Sequence, residues 1–376
     1  MLIGVLKEPK PETRVSLLPE HISLIKKLNC TVAVEEGSGD LAFASDEQYK
    51  AAGAEINSRD HILQEATIIL SINELGPEDY AICRAKVIIG NYQPLYSQVA
   101  VNGVQKKLSI FSLDMLPRTT RAQSMDILSS QANIAGYKAV LVAAAQFPGY
   151  FPMLMTAAGS IPPAKVLILG AGVAGLQAIA TARRLGAVVD VFDTRPAVKE
   201  EVMSLGAKFV EVEGAADASK AGGYAVEQTA EFQQKQKERI AASVKKADII
   251  ITTAQIPGRK APILVSDEML DTMKPGSVIV DLAAATGGNT GFTQNNKIVV
   301  YNGISIIGNS NLAATVPNHA SKLYGKNICN FLPLLIQKEG KLHLNFDDDL
   351  VKGSIITHEG EVINERLKAL ETKTNQ

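Results

Sequence analysis

The sequence predicts an α/β protein made of two Rossmann-like, doubly wound parallel-sheet domains, the N-terminal one discontinuous. Three observations predict it. Short apolar segments alternate with helical ones along most of the 376 residues. Those segments are apolar without a period-2 alternation, as expected of parallel strands covered on both faces. One unit, 165–193, carries three glycines at fixed spacing between an apolar strand and a helix.

Taken in order, "LIGVL" and "TVAVE" are expected as strands, separated by the helix "PEHISLIKKL", with Ile22, Ile25 and Leu28 on one face. "ATIILSI", "KVIIG" and "LSIFS" continue the first sheet. A long helix is expected within "PRTTRAQSMDILSSQANIAGYKAVLVAAAQ", with Thr120 as N-cap and Gln123 closing a capping box. The four prolines of "FPGYFPMLMTAAGSIPPA" mark a boundary loop. A second parallel sheet follows from "KVLIL", "VVDVF", "KFVEV", "DIIITT" and "SVIVDL", with "KIVVY" and "ISIIG" last. Beyond Asn311 the pattern turns helical ("NHASKLYGKNICNFLPLLIQKEG"), then into a polar, acidic tail. Such a helix often returns to the first domain. The expected domains are therefore 1–130 with 312–376, and 131–311.

Composition excludes some functions. Lys and Arg total 38 against 39 Asp and Glu, which leaves no basic footprint for nucleic acid. Aromatics are 5% with no Trp, which does not suit an aromatic-rich recognition surface. Cys30, Cys83 and Cys329 are far apart and lack paired metal-ligand spacing, so buried reduced thiols and no metal are expected. Charges begin at Lys7, so no signal-type core is read. No uncharged apolar run approaches the ~18 residues of a membrane span. A cytoplasmic location is the expectation.

In "KVLILGAGVAGLQAIATARRLGAVVDVFD" each glycine has a task. Gly170 allows the tight turn, Gly172 lets a pyrophosphate approach the backbone, and Gly175 lets helix and strand pack closely. The helix N-terminus supplies N–H groups for phosphates. Asp193 ends the second strand about 20 residues on and can accept both ribose hydroxyls, which favours NAD over NADP. Arg195 pulls the other way, since an arginine can bind a 2′-phosphate.

Two further features stay open on the residues alone. Arg118, Gln123, Asp126 and Ser129 either cap and solvate a helix or hold a nicotinamide and its ribose. The stretch "GAADASKAGGYAVEQ" is long for an α/β connection, and is either a lid, with Tyr224 beside Gly223, or an insertion without function.

Together, "ETRVSLLPE", "PRTTRAQSMDILSSQANIAGYKAV", the glycine unit, "AGGYAVEQ" and "MKPGSVIVDLAAATGGN" resemble the NAD(H)-binding component of proton-translocating nicotinamide nucleotide transhydrogenase, in the alanine dehydrogenase/transhydrogenase family. The resemblance runs over nearly the whole chain. It implies that Arg118, Gln123 and Asp126 are the catalytic, ring-positioning set, with Thr119, Thr120, Arg121 and Ser129 beside them. It places adenosine-side contacts on Val173, Asp193, Thr194 and Arg195, and further contacts on Gly223, Tyr224, Gln236 and Gln255. It also implies NAD(H) on this chain, NADP(H) on a partner subunit, a homodimer, and a membrane-spanning proton-channel subunit that holds the complex at the cytosolic face of a membrane.

Alanine dehydrogenases are the related alternative, and they need an acid/base group at the substrate carbonyl. Where those relatives place a lysine and a histidine, this sequence has Asn73 and Gln93. Arg14, which binds substrate carboxylate in them, remains, either in that role or as a fold-supporting ion pair. Hydride transfer between two nicotinamides needs no local proton donor, which favours the transhydrogenase over a stand-alone amino-acid dehydrogenase. A non-catalytic NAD sensor is the reading from another class.

Overall fold

The computed structural model describes residues 1–212 and 230–374. Its strands in chain order are β1 (Leu2–Val5), β2 (Thr31–Glu35), β3 (Glu55–Asn57), β4 (Ile68–Leu70), β5 (Val87–Gly90), β6 (Ser109–Ser112), β7 (Leu154–Thr156), β8 (Gly159–Ile161), β9 (Lys165–Leu169), β10 (Val188–Phe192), β11 (Lys208–Phe209), β12 (Ile249–Thr252), β13 (Val278–Asp281), β14 (Ile298–Tyr301), β15 (Ile304–Ile307), β16 (Ile355–His358) and β17 (Glu361–Val362). The chain divides into two compact units, residues 1–131 with 314–376, and residues 132–313.

The first unit holds a sheet of order β17-β16-β6-β5-β4-β1-β2-β3. Its β3-β2-β1-β4-β5-β6 part is parallel throughout, so the chain reverses its direction of winding between β1 and β4. Every residue of β4, β5 and β6 is buried, which is why these segments read as unbroken apolar runs. The polar, acidic tail is not a tail: it contains β16 and β17, joined antiparallel to the edge of this sheet. The apolar part of β16 is only Ile355 and Ile356, flanked by glycines and charges, too short to stand out. The helix Pro317–Phe331 also belongs here; Tyr324, Ile328, Phe331 and Leu332 lie in one core with Ile3, Val34 and Phe111.

The second unit holds a sheet of order β11-β10-β9-β12-β13-β15-β14. Here the reversal falls between β9 and β12. The order is that of a doubly wound nucleotide fold. β14 departs from the expected parallel sheet: it runs antiparallel to β15 as an edge strand, with Ile298 and Val300 exposed. The boundary loop also contains structure, because β7 and β8 form an antiparallel hairpin. No helix among the described residues is long and apolar enough to cross a membrane.

The long helix starts later than expected. It spans Ile127–Gln146, and Thr120–Met125 is instead a short 3-10 turn. The Thr120 cap and the Thr120–Gln123 capping box are thereby corrected. Asp126 is the capping residue: its Oδ1 accepts from Ser129 N at 2.9 Å and its Oδ2 from Ser129 Oγ at 2.6 Å. Tertiary contacts hold the preceding turn in place. Ala122 and Met125 are buried in the core, and Asn327 and Asn330 each donate to Ser124 O at 2.8 Å.

Candidate functional site

In an open α/β sheet a ligand sits beyond the carboxyl ends of the strands, where the winding reverses. In the second unit that point lies between β9 and β12. Gly170 follows β9 with φ +105°, and a β-carbon there would lie 2.2 Å from Thr253 Oγ1. That hydroxyl donates to Leu169 O and Gly170 O, at 3.3 and 3.2 Å, tying the end of β12 to the glycine turn. A β-carbon on Gly175 would lie 1.9 Å from Gly170 O, so the Val173–Arg184 helix can approach the strand only through glycine. A β-carbon on Gly172 would meet nothing within 4 Å. That residue borders open space at the start of a helix whose N-terminus no side chain caps. Exposed backbone, uncapped N–H groups and the dipole make a cradle for an anion such as a pyrophosphate. Val173, the first helical residue, is 40% exposed beside it.

Asp193 closes one side of this cradle. Its Oδ2 accepts from Ala171 N at 2.7 Å, so the carboxylate is fixed to the glycine turn itself. Arg195 grips the same carboxylate through Nε at 2.9 Å and Nη2 at 2.8 Å. Thr194 is half-buried between them. Gln255, just past β12, is exposed and donates to Leu282 O at 2.8 Å. Gln236 is half-buried on the helix Ala230–Val244. Gly223 and Tyr224, with the rest of the expected lid, lie outside the described residues.

Sequence reasoning missed two residues that shape this crevice. Thr253 is one. Asn289 is the other: fully buried, it accepts from Ala254 N at 3.1 Å and donates to Ala254 O and Pro262 O at 2.9 and 2.8 Å. Its own N–H donates to buried Asp281 at 2.6 Å. For Thr253 the available signal was a polar residue directly after an apolar strand; Asn289 lies eight residues past the end of β13, with no such signal.

The first unit carries the polar segment. Arg118, Thr119, Thr120 and Gln123 are exposed, while Asp126 and Ser129 are half-buried and bonded to each other. Arg121 pairs with Asp348 and with Asp349 at the start of the Asp349–Ser354 helix. The reversal point of this sheet has no glycine turn and is closed by a side chain. Buried Glu8, beyond β1, accepts from Ile72 N, from Asn73 N at 3.0 Å and from Asn73 Nδ2 at 2.9 Å. Burial pushes its carboxyl up to about 7, against those three donors. Asn73 is thus locked by its neighbour. Gln93 is exposed in a left-handed turn, φ +47°. Arg14 is held by Glu12, at 2.9 and 2.7 Å, and by Gln131 Oε1 at 2.8 Å, the arrangement of a fold-supporting ion pair. Burial opposes the charge on Glu12, but the bonds and charge of Arg14 hold its carboxyl below the usual range.

Known proteins share this architecture. Residues 4–135 match the family described as alanine dehydrogenase/PNT, N-terminal domain, and residues 139–365 match its C-terminal domain. An NAD(P) transhydrogenase subunit alpha chain of Rhodospirillum rubrum is 44% identical, the match covering 98% of this chain and 99% of that one. The NAD(P) transhydrogenase subunit alpha of Haemophilus influenzae is 43% identical over 96% of this chain and 72% of its own length. The crystal structure of a transhydrogenase from Sinorhizobium meliloti is 43% identical, with a TM-score of 0.88 over 96% of this chain and 100% of that one. An L-alanine dehydrogenase structure has the same fold, with a TM-score of 0.82 at 24% identity over 99% of both chains.

Fold and glycine turn together define a two-unit protein of the Rossmann type. The chain belongs to the alanine dehydrogenase/PNT family. Identity of 43–44% over nearly its whole length sets it with the transhydrogenase alpha subunits, as an oxidoreductase of that kind.

Proposed function

We propose that this chain is the NAD(H)-binding part of a proton-translocating NAD(P) transhydrogenase. It binds NAD(H) and exchanges a hydride directly with NADP(H) held on a partner subunit, while a membrane subunit couples the exchange to proton movement. The residues fit the cofactor: the cradle at Gly172 suits a pyrophosphate, and Asp193 suits a ribose. Val173, Thr194 and Arg195 stand on the adenosine side. Arg118, Gln123, Asp126 and Ser129 hold the nicotinamide and its ribose. Thr119, Thr120 and Arg121 flank them, and Gly223, Tyr224, Gln236 and Gln255 complete the contacts. When bound, the cofactor supplies the hydride; the chain's own residues only bind, orient and exclude water.

The observation that carries this reading over an amino-acid dehydrogenase is Asn73. An amide, locked by Glu8, stands where that chemistry needs a proton donor. The test is steady-state turnover. With the NADP(H)-binding partner and NADP⁺ present, NADH should be oxidised. With pyruvate and ammonia in their place, nothing should turn over. The opposite pair of results would establish the dehydrogenase.

A homodimer belongs to the same proposal. Residues 147–164 contain no charge, and the β7–β8 hairpin exposes Met153, Met155 and Ile161 by 61%, 76% and 43%. A lone two-stranded hairpin is marginal in water, and an apolar one is a contact surface. The Rhodospirillum and Haemophilus relatives are each named as one subunit of a transhydrogenase. That fits further subunits here, and through them a place at the cytosolic face of a membrane.

A further inference from the structure

The carboxylate of Asp193 is saturated. Oδ1 accepts from Arg195 N at 2.8 Å and Arg195 Nε at 2.9 Å. Oδ2 accepts from Ala171 N at 2.7 Å and Arg195 Nη2 at 2.8 Å. A carboxylate offers about four lone-pair sites, and four donors use them. An adenosine ribose that binds an acidic residue at this position needs acceptor sites for its hydroxyls. The two backbone donors belong to the fold. The guanidinium alone can leave, since its side chain is 21% exposed against 6% for Asp193.

We infer that Arg195 is a specificity-determining residue whose guanidinium occupies the face of Asp193 that the adenosine ribose takes. This rests on the reading that the chain binds NAD(H). Binding must break the fork between Arg195 and Asp193, so part of the cofactor's interaction is spent on displacement. Arg195 is two residues from Asp193, so the displaced cation stays near the ribose 2′ position. There it offsets the repulsion that Asp193 exerts on a 2′-phosphate. The pair therefore weakens NADH binding and softens the rejection of NADPH.

Removing the guanidinium should move the two nucleotides in opposite directions. Without the competitor, NADH should bind on the order of fivefold tighter, the scale of a partly exposed ion pair. NADPH, facing an uncompensated carboxylate, should bind more weakly. A merely structural role would shift both the same way.

The experiment is calorimetric titration of the full chain with NADH and with NADPH, on wild type, Arg195→Met and Arg195→Lys, with a melting curve for each. Tighter NADH with weaker NADPH in Arg195→Met supports the inference. So does an intermediate gain for NADH in Arg195→Lys, which keeps the charge without the fork. Should Arg195→Met melt early, Arg195→Lys carries the test, and NADH affinity in it at or below wild type overturns the inference. NADH binding that is weaker or unchanged in a folded Arg195→Met does the same, with NAD(H) binding intact. Wild type that binds no NADH overturns the underlying reading as well.

Discussion

Gly175 lies so close to Gly170 that a β-carbon on the one would stand 1.9 Å from the carbonyl oxygen of the other. Gly172, between them in sequence, faces open space. The two glycines therefore answer to different demands, and alanine separates them. Gly175→Ala must push the helix off the strand, and should lower stability by ~1–3 kcal/mol, the usual cost of overpacking. Gly172→Ala should leave stability within ~1 kcal/mol, the scale of a glycine-to-alanine change at an unstrained position, while NADH binding is largely lost because the methyl enters the cradle. Melting curves and NADH titrations on both variants check this. Normal NADH binding by Gly172→Ala would remove the pyrophosphate from that cradle.

Glu8 should leave a signature in stability against pH. Its folded-state carboxyl titrates at about 7, above the ordinary value of 4.5. Between those values the folded chain holds a proton that the unfolded chain has released. Its contribution to stability therefore falls as pH rises from about 4.5 to about 7, by ~3 kcal/mol, and is level above that window. Glu8→Gln cannot titrate, and its amide also faces three N–H donors, so it carries a constant offset. The stability of Glu8→Gln relative to wild type should rise with pH through the window. Denaturant titrations from about pH 4 to about 8.5 span it and give the two curves. Parallel curves would show that Glu8 titrates normally.

The β7–β8 hairpin gives a test of assembly. Met155 is 76% exposed on it, so Met155→Asp disturbs no core and should leave the melting behaviour of the protomer intact. A charge placed there should be costly only if a second copy covers the hairpin. Sedimentation is expected to show wild type as a dimer and the variant shifted toward monomer at micromolar concentration. A variant that stays dimeric would move the interface elsewhere.

What the sequence shows depends on how local the cause is. The order of β9, glycine turn, helix and β10 is legible because an apolar run, three glycines and Asp193 all act within 165–193. The start of the long helix is not. Thr120–Gln123 and Asp126–Ser129 are two successive capping patterns, each sound by itself. The choice between them falls to Asn327 and Asn330, roughly two hundred residues away, which hold the Ser124 carbonyl. Glu8 is invisible for the same reason. Nothing near it in sequence reveals that Ile72 and Asn73 meet its carboxylate. Arg195 reads in the sequence as a ligand for a 2′-phosphate, and nothing there shows its guanidinium folded back onto Asp193.

The capping geometry of Asp126 sharpens the test of the polar segment. Asp126 accepts from both N–H and O–H of Ser129, so Asp126→Ala should lower stability by ~0.5–2 kcal/mol whatever else the residue does. Asp126→Asn is the informative change. Asparagine caps a helix about as well as aspartate, so the melting point should barely move while the charge is lost. Gln123 is exposed on the 3-10 turn and closes no capping box, so Gln123→Asn should also leave stability unchanged. If these side chains position a nicotinamide, each variant should slow hydride transfer to the partner's NADP⁺ by ~10²-fold, the scale of a 1 Å misplacement of reacting atoms. NADH affinity should fall far less, since the adenosine half is held at Gly172 and Asp193. Single-turnover kinetics on the complex reconstituted with the NADP(H)-binding partner, beside a melting curve for each variant, reads both quantities. Wild-type rates in Asp126→Asn and Gln123→Asn would leave Asp126 a helix cap and nothing more, and the nicotinamide would have to be held by other residues.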